Sequence, residues 1–292
     1  FEAAPVRPDR RTSRQKNVAV NTLGKRVSTG LTLALFATGL IVYAPSKVIL
    51  ALAGVVAILA TLEWESLRVG KLGTVETLVS GILTLLVTFL FVWLFENIAW
   101  TVWAVGLGWT VLLVWVGLIA LSGQTSSVSR ARLVGPLIIC PSIALIPVIH
   151  ATDSNGPIVL LAAFAAIWGS DTGAYFSGRK WGKYRLAPKV SPRKTWEGVS
   201  GGLLLGLLAG LGIIRAFYDG GIPYLSWFVI LIISISAGVI GDLFESMFKR
   251  SSGKKDSGNL LPGHGGILDR IDSMLAFLPI FAVFILSSKV GV

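Results

Sequence analysis

One short stretch of the sequence places four chemically active side chains on a single predicted helix face. They follow one another at intervals of three and four residues, so a helix would present two carboxylates, a hydroxyl and an ammonium on the same side: Asp242, Glu245, Ser246 and Lys249. An ion pair within the helix between Glu245 and Lys249 would explain two of these side chains without a catalytic or binding role. Asp242 lies one turn deeper in an apolar run and has no basic residue four positions later. Its carboxylate therefore indicates a site.

The following segment combines glycines with two further carboxylates. Glycines on both sides of His264 let the backbone come close to a ligand and offer N–H groups to anionic oxygens. Asp269 and Asp272 are three residues apart, so both begin the next predicted helix on one face. One acidic residue suffices to cap a helix N-terminus. Two of them, beside a glycine-rich loop and Arg270, favour oxygen ligands for a hard cation such as Mg²⁺.

Two polar patches follow the sixth apolar run of the chain. Asp171 directly follows that run, in the last turns of the predicted helix, and four basic residues follow within fourteen positions. Ser191 and Pro192 predict a helix that begins there, because proline is favoured at the first helical position. Arg193 and Lys194 would then lie at a helix N-terminus, where cations are unfavourable unless an anion binds at the same place. This patch is predicted to bind phosphate groups.

The composition excludes a soluble protein. Apolar residues make up 53% of the 292 positions and charged residues only 14%, against about 25% charged in a typical soluble domain. The mean hydropathy of +0.75 also excludes a disordered chain. The 33 glycines follow no fixed period, which excludes collagen. A single cysteine excludes both a disulfide framework and a cysteine-based zinc site.

Nine long stretches of the chain contain no Asp, Glu, Lys or Arg. Most have about the 20 residues that a helix needs to cross the hydrocarbon of a membrane. The stretches are 27–46, 48–62, 77–95, 97–129, 133–152, 154–170, 198–214, 220–241 and 273–288. The sequence therefore predicts an all-α integral membrane protein, a polytopic bundle of about nine transmembrane helices.

The basic residues lie almost entirely on one side of this map. We divide the chain into a basic tail (1–26), helices one to five (27–150) and helices six to nine (151–292), which carry the site. When nine spans alternate in direction, 23 of the 26 Lys and Arg residues fall on the side of the N-terminus. They lie in the tail, in the loops 63–73, 122–132 and 177–197, and in the segment 247–272. The positive-inside rule places that side, with segments 177–197 and 247–272, in the cytoplasm. The net charge of +11 then reflects topology, and we expect no nucleic-acid partner. We expect a bacterial inner membrane, with an organellar membrane as the alternative.

The stretch from Ser246 to Asp272 resembles the phosphatidate cytidylyltransferase (CDP-diacylglycerol synthase) family at every position that the family's motif specifies. These positions are Ser246, Lys249, Arg250, Lys255, Asp256, Gly258, Leu261, Pro262, His264, Gly265, Gly266, Asp269, Arg270 and Asp272. Segments 171–175 and 191–198 are similar to the family as well. The first 150 residues resemble it only as a series of apolar spans.

The resemblance implies an enzyme that joins CTP and phosphatidate into CDP-diacylglycerol and releases pyrophosphate, in phospholipid biosynthesis. It also implies a bundle of about nine spans that dimerises among membrane lipids, with Mg²⁺ held by Asp242 and Asp269 and with K⁺ as a further candidate. The catalytic residues it implies are Asp242, Asp269, Lys249, Arg250 and Lys255. The substrate-binding residues it implies are Ser191, Arg193, Lys194, Asp171, His264, Gly265, Gly266, Arg270 and Asp272.

The implied reaction needs little beyond what these residues offer. The attacking phosphate oxygen of the lipid is already largely ionised at neutral pH, so no strong general base is required. Catalysis then depends mainly on positioning and on neutralising charge.

Two alternatives remain open. A related membrane nucleotidyltransferase or phosphotransferase could act on another lipid phosphate, because apolar spans do not distinguish lipid tails. A cation-coupled transporter would also place carboxylates inside spans, but near the midplane and with broken helices and paired repeats. Here the carboxylates lie at one face of the predicted membrane domain, next to a basic glycine-rich loop. This position favours the enzyme.

Overall fold

A computed structural model describes residues 30, 32–69, 72–122, 134–258 and 265–290. Over these ranges the chain forms nine helices: α1 (Thr32–Tyr43), α2 (Ser46–Val69), α3 (Thr74–Asn97), α4 (Trp100–Ser122), α5 (Val134–Ala151), α6 (Gly156–Trp181), α7 (Trp196–Phe217), α8 (Tyr224–Ser251) and α9 (Leu268–Val290). It also forms two short strands, β1 (Arg185–Ala187) and β2 (Ser191–Thr195). The predicted tail, 1–26, lies outside the described residues.

Within the described ranges, seven helices are long and apolar enough to cross a membrane, namely α2, α3 and α5 to α9. The apolar parts of α1 and α4 are shorter. Each of the nine predicted apolar runs coincides with one helix, which confirms an all-α polytopic membrane protein. Helices α6 and α8 continue about ten residues beyond their apolar runs. Asp171 and Asp242 therefore lie within helices, with two or more turns still to follow.

By internal packing the chain divides into two units, Phe1–Leu40 and Ile41–Val292. The described residues of the first unit are helical. The second unit contains all the candidate site residues that the structure describes. The predicted division of the spans at residue 150 stays a prediction.

Helices α6 and α7 approach each other closely because glycines face each other across their contact. A Cβ atom added to Gly173 of α6 would lie 2.3 Å from the carbonyl oxygen of Gly201, and one added to Gly206 of α7 would lie 2.7 Å from that of Ala166. Side chains at these positions would force the backbones apart. The glycines therefore fix the distance between Asp171 on α6 and the strand that leads into α7.

A β-hairpin joins these two helices, and it corrects one prediction. Strands β1 and β2 pair antiparallel, with Ala187 opposite Ser191. The predicted helix start at Ser191 is therefore wrong, because α7 begins at Trp196. Its cap is Thr195, whose hydroxyl accepts a hydrogen bond from the N–H of Gly198 at 3.1 Å. The residue before a proline favours extended backbone, which suits Ser191 to a strand.

The C-terminal part of α2 packs against α8 through stacked aromatic rings. The ring of Trp64 is buried and lies 3.7 Å from that of Phe248 and 6.1 Å from that of Phe244, measured between centroids. Buried aromatic pairs of this kind contribute about 0.5 to 1.5 kcal/mol each beyond the area that they bury. A hydrogen bond of 2.7 Å from the Ser142 hydroxyl to the carbonyl of Leu275 joins α5 to α9. These contacts hold the helices around the candidate site.

Candidate active site

Predicted site residues of three elements, α6, β2 and α8, meet around one cavity. The cavity has a volume of about 270 Å³ and lies between α6, β2, α7, α8 and α9. Its charged lining comes from Asp171, Arg193, Lys194 and Asp242. Its apolar lining consists of Ile167, Ala174, Val199, Ile235, Val239 and Phe277. The lining thus combines charged and apolar side chains.

Three carboxylates converge beside this cavity. Each of Asp242, Glu245 and Asp272 offers an oxygen, and the three oxygens lie within 4.8 Å of one another. Glu245 is 1% exposed, and the other two residues are half-buried. Like charges this close repel one another, so the cluster favours a bound cation or a neighbouring positive group. Carboxylate oxygens are the ligands that suit Mg²⁺ in proteins, and this group of donors fits it.

Lys194 supplies a positive group to this cluster. Its Nζ lies 2.6 Å from Oδ2 of Asp242 and donates a hydrogen bond of 3.2 Å to the carbonyl oxygen of Val239. The Ser246 hydroxyl donates to the other oxygen of Asp242 at 3.3 Å. Lys194 lies in β2 rather than in the first turn of α7. The prediction that it lies inside α7 is therefore wrong, because it directly precedes the cap, Thr195. Its partner is a carboxylate of the protein.

Asp269 has a different set of partners from Asp272. Its Oδ1 accepts a hydrogen bond of 2.7 Å from Nζ of Lys249, and its Oδ2 accepts hydrogen bonds from the backbone N–H of Ser257 at 2.9 Å and of Gly266 at 2.8 Å. Asp269 thereby ties α8 to the segment before α9. Its predicted role as a metal ligand stays a prediction.

Lys249 is buried between two carboxylates. Its ammonium pairs with Glu245 four residues earlier, as the helical spacing predicted, and also with Asp269 of α9. The ammonium therefore neutralises carboxylates of the protein, and its predicted contact with substrate phosphate stays a prediction. Removing one partner of a buried pair leaves the other charge uncompensated, at a cost of about 3 to 5 kcal/mol.

Two glycines before α9 allow the backbone to approach carboxylates of the protein itself. Gly265 has a φ of +82°, and a Cβ atom there would lie 2.6 Å from Oδ2 of Asp269. A Cβ atom on Gly266 would lie 2.3 Å from Oε2 of Glu63. The sequence predicted such a close approach to a bound phosphate. The approach seen here is intramolecular, and a contact of these glycines with substrate stays a prediction.

Glu63 contacts the segment before α9, and sequence reasoning did not identify it. Segment 63–73 was predicted to be a loop, whereas α2 continues to Val69. The Glu63 carboxylate accepts hydrogen bonds from the backbone N–H of Ile267 at 3.0 Å and of Leu268 at 2.8 Å. The only sequence signal was a pair of glutamates directly after an apolar run.

The remaining predicted residues are more dispersed. Arg193, Arg250, Lys255 and Arg270 are exposed, and of these Arg193 lines the cavity. Ser191 is half-buried at the start of β2. His264 lies outside the described residues.

Comparisons with known proteins identify the family of the chain. The family model described as the cytidylyltransferase family matches residues 24–288. The phosphatidate cytidylyltransferase of Haemophilus influenzae is 50% identical over 133 residues, which are 44% of this chain and 46% of the relative. The protein of that name from Pseudomonas aeruginosa is 45% identical over 138 residues, which are 47% of this chain and 50% of the relative. The one from Staphylococcus aureus (strain COL) is 45% identical over 140 residues, which are 48% of this chain and 53% of the relative.

The chain spans about half the length of the curated relatives it matches. The family model, in contrast, covers both the apolar N-terminal helices and the carboxylate-bearing helices α6 to α9. Because that match extends over most of the chain, this membrane protein belongs to the cytidylyltransferase family.

Proposed function

We propose that the protein is a phosphatidate cytidylyltransferase that uses CTP and phosphatidate to make CDP-diacylglycerol and pyrophosphate. The observation that carries the proposal is the cavity, because it combines two cations and two carboxylates with an apolar wall. A triphosphate needs charged groups, and a diacyl lipid needs apolar side chains. The relatives that bear this name support the same assignment.

The reaction on this proposal is an in-line transfer at the α-phosphorus of CTP. An oxygen of the lipid phosphate forms the new bond to that phosphorus, and the bond to the β-phosphate oxygen breaks, so pyrophosphate leaves with the electron pair. Arg193 and Lys194 line the cavity, and on this proposal they hold phosphate oxygens there. Positioning of this kind can supply several kcal/mol of barrier reduction without any covalent intermediate.

We further propose that Asp242, Glu245 and Asp272 hold Mg²⁺. Their oxygens already lie within 4.8 Å of one another, as ligands of one ion require. When bound, the ion would neutralise phosphate oxygens and polarise the α-phosphoryl group. Lys194 shares Asp242 with this cluster, so the lysine and the ion would compete for that carboxylate.

A buried hydroxyl gives independent support for a ligand in the cavity. Ser273 is 9% exposed, lines the cavity, and has no hydrogen-bond partner for its Oγ among the described residues. Buried polar atoms usually have a partner. A phosphate or glycerol oxygen of a substrate would satisfy this hydroxyl.

The distribution of charge supports an active site on the cytoplasmic face, and the bacterial relatives support a bacterial inner membrane. The hairpin between α6 and α7, the end of α8 and the start of α9 belong to the side that carries 23 of the 26 basic residues.

The family resemblance also supports a homodimer. Light scattering of the protein in detergent should give twice the mass of the 31.1 kDa chain for the protein component.

The function is tested by offering purified protein a panel of lipid phosphates with labelled CTP in mixed micelles. Phosphatidate should yield labelled CDP-diacylglycerol on thin-layer separation, whereas isoprenoid phosphates should yield little product. The matched pair of variants is Asp242→Asn and Asp219→Asn, because Asp219 is an exposed aspartate outside the site. Activity that prefers an isoprenoid phosphate, or that survives in Asp242→Asn, would contradict the proposal.

A further inference from the structure

We propose that Glu63 of α2 is a positioning residue that holds the segment preceding α9, and with it the carboxylates of the site, in the geometry needed for turnover. This inference rests on the proposed function for its kinetic consequence. Its structural consequence can be measured without any substrate.

Glu63 caps a helix to which it does not belong. The first backbone N–H groups of an α-helix have no partner within that helix, and a residue of the same segment usually satisfies them. For α9, the N–H groups of Ile267 and Leu268 donate to Oε1 and Oε2 of Glu63, which is more than 200 positions earlier in the chain. A carboxylate at this position also interacts favourably with the helix dipole. The start of α9 is therefore anchored to α2.

The same carboxylate reaches the site through Ser257. The Ser257 hydroxyl donates to Oε2 of Glu63 at 3.0 Å, and the Ser257 backbone N–H donates to Asp269. Asp269 accepts from Lys249, and Lys249 pairs with Glu245 of the carboxylate cluster. An unbroken series of polar contacts thus runs from α2 to the cluster.

Close packing makes this arrangement depend on the carboxylate at the end of the Glu63 side chain. A Cβ atom on Gly258 would lie 2.6 Å from Oε1 of Glu63, and one on Gly266 would lie 2.3 Å from Oε2. The loop backbone therefore closes around the carboxylate from two sides. A group with different hydrogen-bonding capacity cannot be accommodated there without moving the loop.

Other contacts keep α2 in place when Glu63 changes. Trp64 remains stacked on Phe248, and Nζ of Lys254 donates to the carbonyl oxygen of Ser66 at 3.0 Å. Glu63 does not line the cavity. A Glu63→Gln protein should therefore fold and bind substrates, while its amide NH₂ faces N–H or O–H donors and disrupts the cap.

The test compares Glu63→Gln with Glu76→Gln. Glu76 is exposed, and its carboxylate accepts a hydrogen bond of 3.0 Å from the N–H of Gly73 at the start of α3. The control thus makes the same chemical change at another helix N-terminus. Hydrogen exchange is followed by mass spectrometry in peptides that cover 252–270 and in peptides that cover the hairpin. Kinetics with CTP and phosphatidate are measured on the same preparations.

In Glu63→Gln, the 252–270 peptides should exchange at least tenfold faster, and the hairpin peptides should be unchanged. The kcat should fall at least tenfold, with each KM within about threefold of the parent value. In Glu76→Gln, neither quantity should change. Ser257→Ala, which removes only the hydroxyl contact, should give a smaller change in the same direction and serves as the second variant if Glu63→Gln does not fold.

Unchanged exchange in 252–270 would overturn the inference, and so would a fall in thermal stability with parental kcat. Faster exchange in a protein whose parent makes no CDP-diacylglycerol would instead contradict the proposed function. The two failures are therefore distinguishable.

Discussion

Replacing Lys194 by methionine tests how the site balances its charge. The change keeps an unbranched side chain of similar length and removes the ammonium that lies 2.6 Å from Asp242. Both partners of this pair are less than one-third exposed, at 22% and 29% of their side-chain surface. Asp242 would then face Glu245 and Asp272, whose carboxylate oxygens lie within 4.8 Å, and would keep the hydrogen bond from the Ser246 hydroxyl.

The size of the effect follows from these contacts. A hydrogen bond between charged groups contributes about 1.5 to 3 kcal/mol when it is partly buried. That range corresponds to about 10-fold to 150-fold in an equilibrium constant. We expect Lys194→Met to lower thermal stability without Mg²⁺, and to raise the KM of CTP or of phosphatidate by at least about tenfold.

Mg²⁺ should restore more stability to the variant than to the parent protein. In the parent protein the ion must displace the ammonium of Lys194 from Asp242, whereas in the variant it binds without that competition. A ligand that binds only the folded state stabilises it by about 2.7 kcal/mol at 100 times its dissociation constant. The gain in unfolding temperature on addition of Mg²⁺ should therefore be larger for Lys194→Met.

The assay is thermal unfolding in detergent with and without Mg²⁺, together with steady-state kinetics in which each substrate is varied. The control is Lys189→Met, since Lys189 is an exposed residue of the hairpin turn. An equal response of variant and parent to Mg²⁺, with unchanged KM values for both substrates, would remove Lys194 from the site.

Three further predictions address other parts of the structure. Asp242→Asn and Asp269→Asn should each abolish turnover at low Mg²⁺, and Asp269→Asn should in addition loosen the segment before α9. Near-parental activity of both variants would refute the assignment of these carboxylates. Gly173→Ala should cost about 1 to 3 kcal/mol in a thermal unfolding assay, because its Cβ would lie 2.3 Å from a backbone oxygen, whereas Gly212→Ala, with open space around its Cα, should not. In a Cys140→Ala background, Lys189→Cys should react with an impermeant thiol reagent only from the cytoplasmic side and Asp219→Cys only from the other; the reverse pattern would invert the topology.

The helices could be predicted because a membrane demands a long apolar run from each span. The start of α7 could not be predicted in the same way. Ser191 and Pro192 suit a helix N-terminus as well as a strand, and pairing with β1 decides between them. That pairing also places the Lys194 ammonium beside Asp242, a contact across 48 positions that no local pattern encodes.

For the carboxylates too, local spacing predicts which residues share a helix face but not which residues meet between helices. Helical spacing placed Asp242 and Glu245 on one face, and it also placed Asp269 with Asp272. The packing of α8 on α9 then separates the second pair, because Asp272 joins the cluster of three carboxylates while Asp269 accepts hydrogen bonds from the loop. Glu63 joins this loop from α2, and only the tertiary structure brings it there.

On the proposed function, a lipid phosphate displaces pyrophosphate from CTP in the cavity between α6, β2, α7, α8 and α9. The most direct measurement uses CTP labelled in parallel reactions at the α-phosphate or at the γ-phosphate, with purified protein and phosphatidate in mixed micelles. The α label should appear in the lipid fraction and the γ label in pyrophosphate, in equal amounts and with Mg²⁺ present. Both transfers should disappear in Asp242→Asn and persist in Asp219→Asn. Transfer of the γ label to lipid, or release of label without lipid product, would contradict the account.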